Sequence, residues 1–330
     1  MWAYRQPGPT LFTRVEVPAP DAVPDRHVAV RFVAGGICGS DLPPFFGVHS
    51  VEFPQTGTIG APLHEISGTV VSSATPGLEV GDRVVGTAWP CALQEVVIAQ
   101  GWRVRPIPDA LDPVGAIVIQ PLATVLCGAD RLDHREPGTA VVLGLGPMGL
   151  LWAHALAHRG WRVIGVDRVD RGAVAERFGL SETVQSEVAE WAAPLAELPE
   201  DDPRRPGLVV DAIGHDQENI GWAVAATREL GQVYAFGLPE EHYVLPMRLF
   251  FRKKLTLRAG DTDRWPQRLR AAEEYALAHP ELLDGYVTDR YPVAEVRDAF
   301  LRYAQPSSDR LKVVLEARGV RPRRLGVIEW

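Results

Sequence analysis

The chain has 330 residues, a length that suggests about two domains, and its 34 Lys and Arg against 42 Asp and Glu leave a net charge of −8. That balance argues against a nucleic-acid or anionic-membrane partner, because binding by counterion release needs a basic footprint. With 46% hydrophobic residues, 31 Gly and 28 Pro, the chain stays outside the low-complexity range of roughly 25–30% Gly plus Pro and can fill ordinary cores.

Taken in chain order, the first third reads as β. Val-rich segments at 27–33, 67–72 and 83–85 are separated by Pro- and Gly-containing loops at 18–20, 75–77 and 105–108, the texture of a small barrel or sandwich. From Thr139 the pattern becomes strand, glycine turn and helix, and it repeats. Strand Thr139–Leu143 leads to a helix over 147–158, a strand over 162–166 and a helix over 171–178 closed by Gly179. Further strands run from 208 to 210 into Asp211 and from 232 to 236 into Gly237. Such alternation predicts a parallel, doubly wound sheet. Helices over 267–278 and 294–304 precede a last strand, 311–315, whose β texture predicts that it returns to the N-terminal domain. The tail carries Arg318, Arg321, Arg323 and Arg324 and reads as solvated.

Cys38, Cys91 and Cys127 are too few and too dispersed for a disulfide framework or a four-cysteine zinc site. The longest apolar stretch, 141–153, is interrupted by Gly144, Gly146, Pro147 and Gly149 and is short for a membrane span. The first residues do not resemble a secretory signal. A cytoplasmic protein without a membrane partner is expected.

Gly144-Leu145-Gly146-Pro147-Met148-Gly149 follows a predicted strand and opens a predicted helix, and Asp167 stands at the tip of the next strand. Gly144 permits the tight turn, Gly146 lets backbone approach a pyrophosphate, and Gly149 allows close helix–strand packing. The helix N-terminus then faces the phosphates. The Asp167 carboxylate suits two ribose hydroxyls and repels a 2′-phosphate, which predicts NAD over NADP. Arg168 is placed to stack on the adenine, and Gly237 closes a later strand toward the same cofactor.

A second constellation combines Gly36-Ile37-Cys38-Gly39-Ser40-Asp41 with Leu63-His64-Glu65. A thiolate and an imidazole from separate loops, each beside a carboxylate, suit zinc. A buried thiol near a hydrogen-bonded core histidine suits the same residues.

Together with His64–Gly68, Val80–Val84, Gln120-Pro121-Leu122-Ala123, the glycine run and Leu311–Leu315, these motifs resemble, in order and over nearly the whole chain, the medium-chain dehydrogenase/reductases. The similarity is to their zinc-type alcohol and polyol dehydrogenase branch. The resemblance implies a discontinuous GroES-like β-barrel catalytic domain, 1–121 and 260–330, and a Rossmann domain with a doubly wound parallel sheet, 122–259. It places an active site in the cleft between them. It assigns Cys38 and His64 as zinc ligands, Glu65 and Gln120 as further metal-site residues, and Ser40 as the hydroxyl that takes the substrate proton. Asp41 would orient His64.

Three departures from the family pattern stand out. The structural four-cysteine lobe is missing, because 87–91 runs almost directly into 93–96. Pro43 replaces a frequent proton-relay histidine, with His49 as a possible substitute, and Gln120 replaces a charged ligand. Cys38 and Glu65 together would still neutralise a zinc ion.

The implied reaction is reversible, NAD-dependent oxidation of a secondary alcohol, of polyol, sugar or cyclitol type, to a ketone. Phe45, Phe46, Trp89 and Trp102 are candidates either for the pocket or for the core. A zinc-independent reductase of an activated C=C bond is the rival reading, and a catalytically inert NAD-binding protein is a third. A small-molecule alcohol or ketone and further copies of the chain, as a dimer or tetramer, are the expected partners.

Overall fold

The computed structural model describes residues 1–48, 57–133 and 137–318. His49 and the tail arginines Arg321, Arg323 and Arg324 lie outside the described residues. The chain divides into two compact units, Met1–Gln120 with Arg264–Trp330, and Pro121–Asp263. No described helix is long and apolar enough to cross a membrane.

In the first unit, hydrogen-bonded strands run in the order Val287–Pro292, Lys312–Glu316, His27–Gly36, Glu65–Ser73, Arg83–Thr87 and Val104–Pro106. The strand His27–Gly36 organises this sheet. One edge pairs antiparallel with Glu65–Ser73, while the other is shared. His27 to Arg31 take Val96–Gln100, and Ala34 to Gly36 take the C-terminal strand Lys312–Glu316. A register shift between Phe32 and Ala34 bends the strand where its edge changes partner. The last strand therefore does return to the N-terminal sheet, as its texture predicts.

Val28, Val30, Ile66, Val84, Val97, Val313 and Leu315 project into one core. The helix Val296–Ala304 covers it, because Val296, Ala299, Phe300 and Tyr303 fall on one face at i, i+3, i+4 and i+7. Phe45 is fully buried here, with its ring 4.9 Å from that of Phe300. It is a core residue, which removes it from the aromatic pocket candidates. A separate hairpin joins Trp2–Gly8 to Leu11–Glu16.

The second unit carries six parallel strands in the order Glu182–Gln185, Arg162–Asp167, Thr139–Leu143, Leu208–Asp211, Gln232–Ala235 and Thr256–Ala259. Counted along the unit this is 3-2-1-4-5-6, the order of dinucleotide-binding sheets. Ala140 to Leu143 and Leu208 to Val210 are buried without alternation, as expected for strands covered on both faces. One predicted element is corrected. Residues 171–178 form no α-helix, only the 3-10 turn Gly172–Val174. The segment buries just Arg171 and Phe178 fully, too little apolar surface to hold a helix that glycine already disfavours.

Candidate active site

Cys38 ends the extended run of strand His27–Gly36 and opens the 3-10 turn Gly39–Asp41. Asp41 folds back so that its Oδ2 accepts the Cys38 backbone N–H at 2.8 Å. Its Oδ1 pairs with His64 Nδ1, also at 2.8 Å. Asp41 therefore fixes both the Cys38 loop and the orientation of an imidazole carried just ahead of strand Glu65–Ser73. Cys38 Sγ, a ring nitrogen of His64 and a carboxylate oxygen of Glu65 lie within 4.8 Å of one another. The two loops named in the sequence do converge.

Electrostatics sharpen this arrangement. Burial disfavours a charged His64, yet the Asp41 carboxylate and then Cys38 outweigh it and hold the imidazole well above the usual histidine range. Glu65 is completely buried, and its Oε1 accepts from Lys312 Nζ at 2.6 Å. Burial raises the Glu65 carboxyl, with Lys312 and then His64 pulling it the other way. Its Oε2 has no direct hydrogen-bond partner. Gly36 makes room for the pair, since a Cβ there would overlap Glu65 Oε2 and lie 2.8 Å from Lys312 Cε. A soft thiolate, an imidazole held by a carboxylate, and a buried carboxylate oxygen with a free lone pair form a donor set that fits zinc.

In the second unit, Gly144 has φ +83, a conformation suited to glycine. A Cβ on Gly149 would collide with the Gly144 carbonyl oxygen. Gly146 caps the helix Pro147–Ala157, and a Cβ on it would meet nothing within 4 Å, leaving an open cradle at the helix N-terminus. Met148 sits within that first turn. Asp167 Oδ2 accepts the Leu145 N–H at 2.6 Å and Oδ1 the Val169 N–H at 2.7 Å. These bonds hold the carboxylate across the glycine turn. Gly237 packs against the Gly214 backbone, and its N–H bonds the Asp211 carbonyl. This cradle fits a dinucleotide pyrophosphate.

Residues 24–109 match the alcohol dehydrogenase GroES-like domain, and residues 144–274 match the zinc-binding dehydrogenase domain. The chain belongs to the zinc-type medium-chain dehydrogenase/reductases. It is similar to D-arabitol-phosphate dehydrogenase of Enterococcus avium, 25% identical over 94% of this chain and 95% of that protein. L-arabinitol 4-dehydrogenase of Aureobasidium melanogenum is 23% identical over 88% and 87%. The fold is shared with the solved alcohol dehydrogenase TADH from Thermus sp. ATN1, at TM-score 0.80, 23% identity and coverage of 96% and 99%.

This medium-chain dehydrogenase is an oxidoreductase of the zinc-binding dehydrogenase type. Gln120 is buried at the start of the helix Ile119–Ala129. It follows directly on the turn Gly115–Val118, whose Ile117 packs against Gly36. Ser40 is half-buried within the Gly39–Asp41 turn. Arg168 is largely exposed, 3.9 Å from Glu187. Among the aromatic candidates, Trp89 stands edge-on to His64 at 5.1 Å and is 41% exposed, whereas Trp102 lies against Arg103. Lys312 and the buried Tyr286 escape the sequence reading. For Lys312 the signal was a lone cation inside the apolar run Leu311–Leu315. For Tyr286 none was available.

Proposed function

We propose that this dehydrogenase reversibly oxidises a secondary alcohol on a polyhydroxylated substrate to a ketone, with NAD preferred over NADP. The observation that carries the reading is the convergence of Cys38, His64 and Glu65 within 4.8 Å, a donor cluster that C=C reduction does not need. Relatives named for arabitol phosphate, L-arabinitol and sorbitol support the substrate class.

When bound, zinc supplies a Lewis acid for the alcohol oxygen and NAD supplies the hydride acceptor. Cys38, His64 and Glu65 would hold the metal, with Gln120 contributing a neutral oxygen. Asp41 keeps His64 in the tautomer that leaves Nε2 free to donate electrons. Ser40, two residues beyond Cys38, would take the proton leaving the alcohol while its own hydroxyl proton passes on, through the cofactor ribose, to solvent. Asp167 receives the adenosine ribose hydroxyls, and its charge opposes a 2′-phosphate.

For assembly we propose a homo-oligomer. Its support is the unpaired outer edge of strand Thr256–Ala259 among the described residues, with Leu257 exposed on that strand and Val244, Met247 and Phe251 exposed in the segment that precedes it in the chain. The three free thiols accord with a cytoplasmic location.

The test pairs metal analysis of protein purified without chelators with turnover of a polyol panel against NAD and NADP. Zinc near one per chain and chelator-sensitive polyol oxidation with NAD are expected. Enone reduction indifferent to chelator, without alcohol oxidation, would sink the proposal.

A further inference from the structure

The amino-terminal ends of the parallel strands, opposite the end where the glycine turn follows Leu143, hold a cavity of about 460 Å³, a size that takes a small metabolite. Four strands adjacent in the sheet reach it, and the residue just before each one lines it: Trp161, Gly138, Gly207 and Gly231 in sheet order. Packing requires Gly231, since a Cβ there would stand 2.4 Å from Thr227 Cγ2. Gly138 and Gly207 are not required in that way. Neither has a positive φ. A Cβ on Gly138 would meet nothing within 4 Å, and one on Gly207 would make ordinary contacts, 3.5 Å from Arg228 Nη2 and 4.0 Å from Trp161 Cζ3. Glycine costs chain entropy where a larger residue fits, and the two missing side chains leave open space between a guanidinium and an indole.

The glycine carbonyls are spent in the sheet, accepting from Arg162, Gln232 and Thr256 N–H groups at 2.9–3.1 Å, so polar recognition falls to side chains at the rim. There Glu229 is paired with Lys254, whereas the Arg228 guanidinium and the Asp201 carboxylate make no hydrogen bond or ion pair among the described residues. The two are held near one another, because the Glu229 N–H donates to the Glu200 carbonyl at 2.7 Å and ties their loops together. A simple anion would meet the Asp201 charge and a simple cation the Arg228 charge. A molecule carrying both signs satisfies both. We propose that this cavity binds a free α-amino acid with an aromatic or large aliphatic side chain. Its carboxylate takes the fork of Arg228, its ammonium takes Asp201, and its side chain lies over Gly138 and Gly207 against Trp161 and Leu230. The site does not depend on the alcohol-oxidation reading.

The experiment is isothermal titration of the full chain with L-phenylalanine and L-leucine, and with phenylacetate and phenethylamine, which each keep only one of the two charges. At least one of the amino acids should saturate a single site with a Kd of about 1 mM or tighter, and each one-charge analogue should bind at least about tenfold more weakly. Arg228→Gln and Asp201→Asn, both at exposed positions, should each weaken amino-acid binding about tenfold, and Gly207→Leu, which fills the cavity, should abolish it. NADH affinity and melting temperature are read on every variant, so that a loss of binding is separated from a loss of fold. Should Gly207→Leu melt early, Gly138→Leu fills the same cavity from a position whose Cβ has open space. No saturable binding of either amino acid up to about 10 mM overturns the proposal. So does phenylacetate binding as tightly as L-phenylalanine, or unchanged binding in a folded cavity-filling variant.

Discussion

An alanine at position 36 perturbs the metal site without touching a donor atom. The new methyl would overlap Glu65 Oε2 and stand 2.7 Å from Ile117 Cγ2 and 2.8 Å from Lys312 Cε. None of these can retreat freely, because Glu65 and Lys312 are each about 1% exposed and bonded to one another. If the ion pair shifts as a unit, the cost is that of overpacking, about 1–3 kcal/mol. If the pair separates, an uncompensated buried charge costs about 3–5 kcal/mol. A loss of about 3 kcal/mol is expected, and at about 2–4 °C per kcal/mol for a unit of this size the melting temperature should fall by about 6–12 °C. Scanning calorimetry of the metal-free protein reads it. A Gly36→Ala protein melting within about 2 °C of wild type would refute the claim that the absent side chain makes room for the Glu65–Lys312 pair.

The other expectations are simpler. Gly146→Ala has open space around its methyl and an ordinary φ of −67, so thermal stability should stay within about 1 °C while NADH affinity, read by fluorescence titration, falls at least about tenfold. Asp41→Asn loses the carboxylate that orients His64 and should weaken zinc binding about 10–100-fold by chelator competition. Burial pushes the Cys91 thiol up to about 11; against a usual value near 9 its thiolate is about a hundredfold scarcer at pH 8, and mass-resolved alkylation should find it slow in proportion. Burial also brings the Lys253 ammonium down to about 8, so between about pH 8 and 10.5 the unfolded chain binds the extra proton and stability rises with pH, by at most about 3 kcal/mol. Lys253→Met should lose that rise in urea titrations at pH 8 and pH 10, while losing stability at both, because Lys253 Nζ donates to three backbone carbonyls at 2.7–3.0 Å.

What was legible followed from local chemistry. Thr139–Leu143 is readable because a doubly covered parallel strand is an unbroken apolar run. The glycine turn is readable because each glycine meets a separate steric demand. Cys38 and His64 are readable as a pair through the order of the motifs that carry them along the chain, since by themselves the two residues suit a core thiol and a core histidine equally well. The false helix at 171–178 shows the limit. Val174 and Phe178 mark a helical interval, but whether a neighbour covers that face is a tertiary fact. The Glu65–Lys312 pair spans 247 positions, and no local pattern pairs two charges across that distance. Tyr286 looks like any apolar residue ahead of a strand until its oxygen is found buried.

The shared edge of strand His27–Gly36 has a consequence during synthesis. Residues 34–36 emerge early, yet their partner strand Lys312–Glu316 is among the last pieces made. At translation rates of about 5–20 residues per second, the nascent catalytic unit waits on the order of 15 to 60 seconds with one seam open and Glu65 facing no cation. The parallel sheet of 139–259 needs nothing downstream and can close while the ribosome is still at work. A nonsense mutation that removes the final strand would thus leave a finished nucleotide-binding half attached to a permanently gaping β half, a target for proteolysis and not a weakened enzyme.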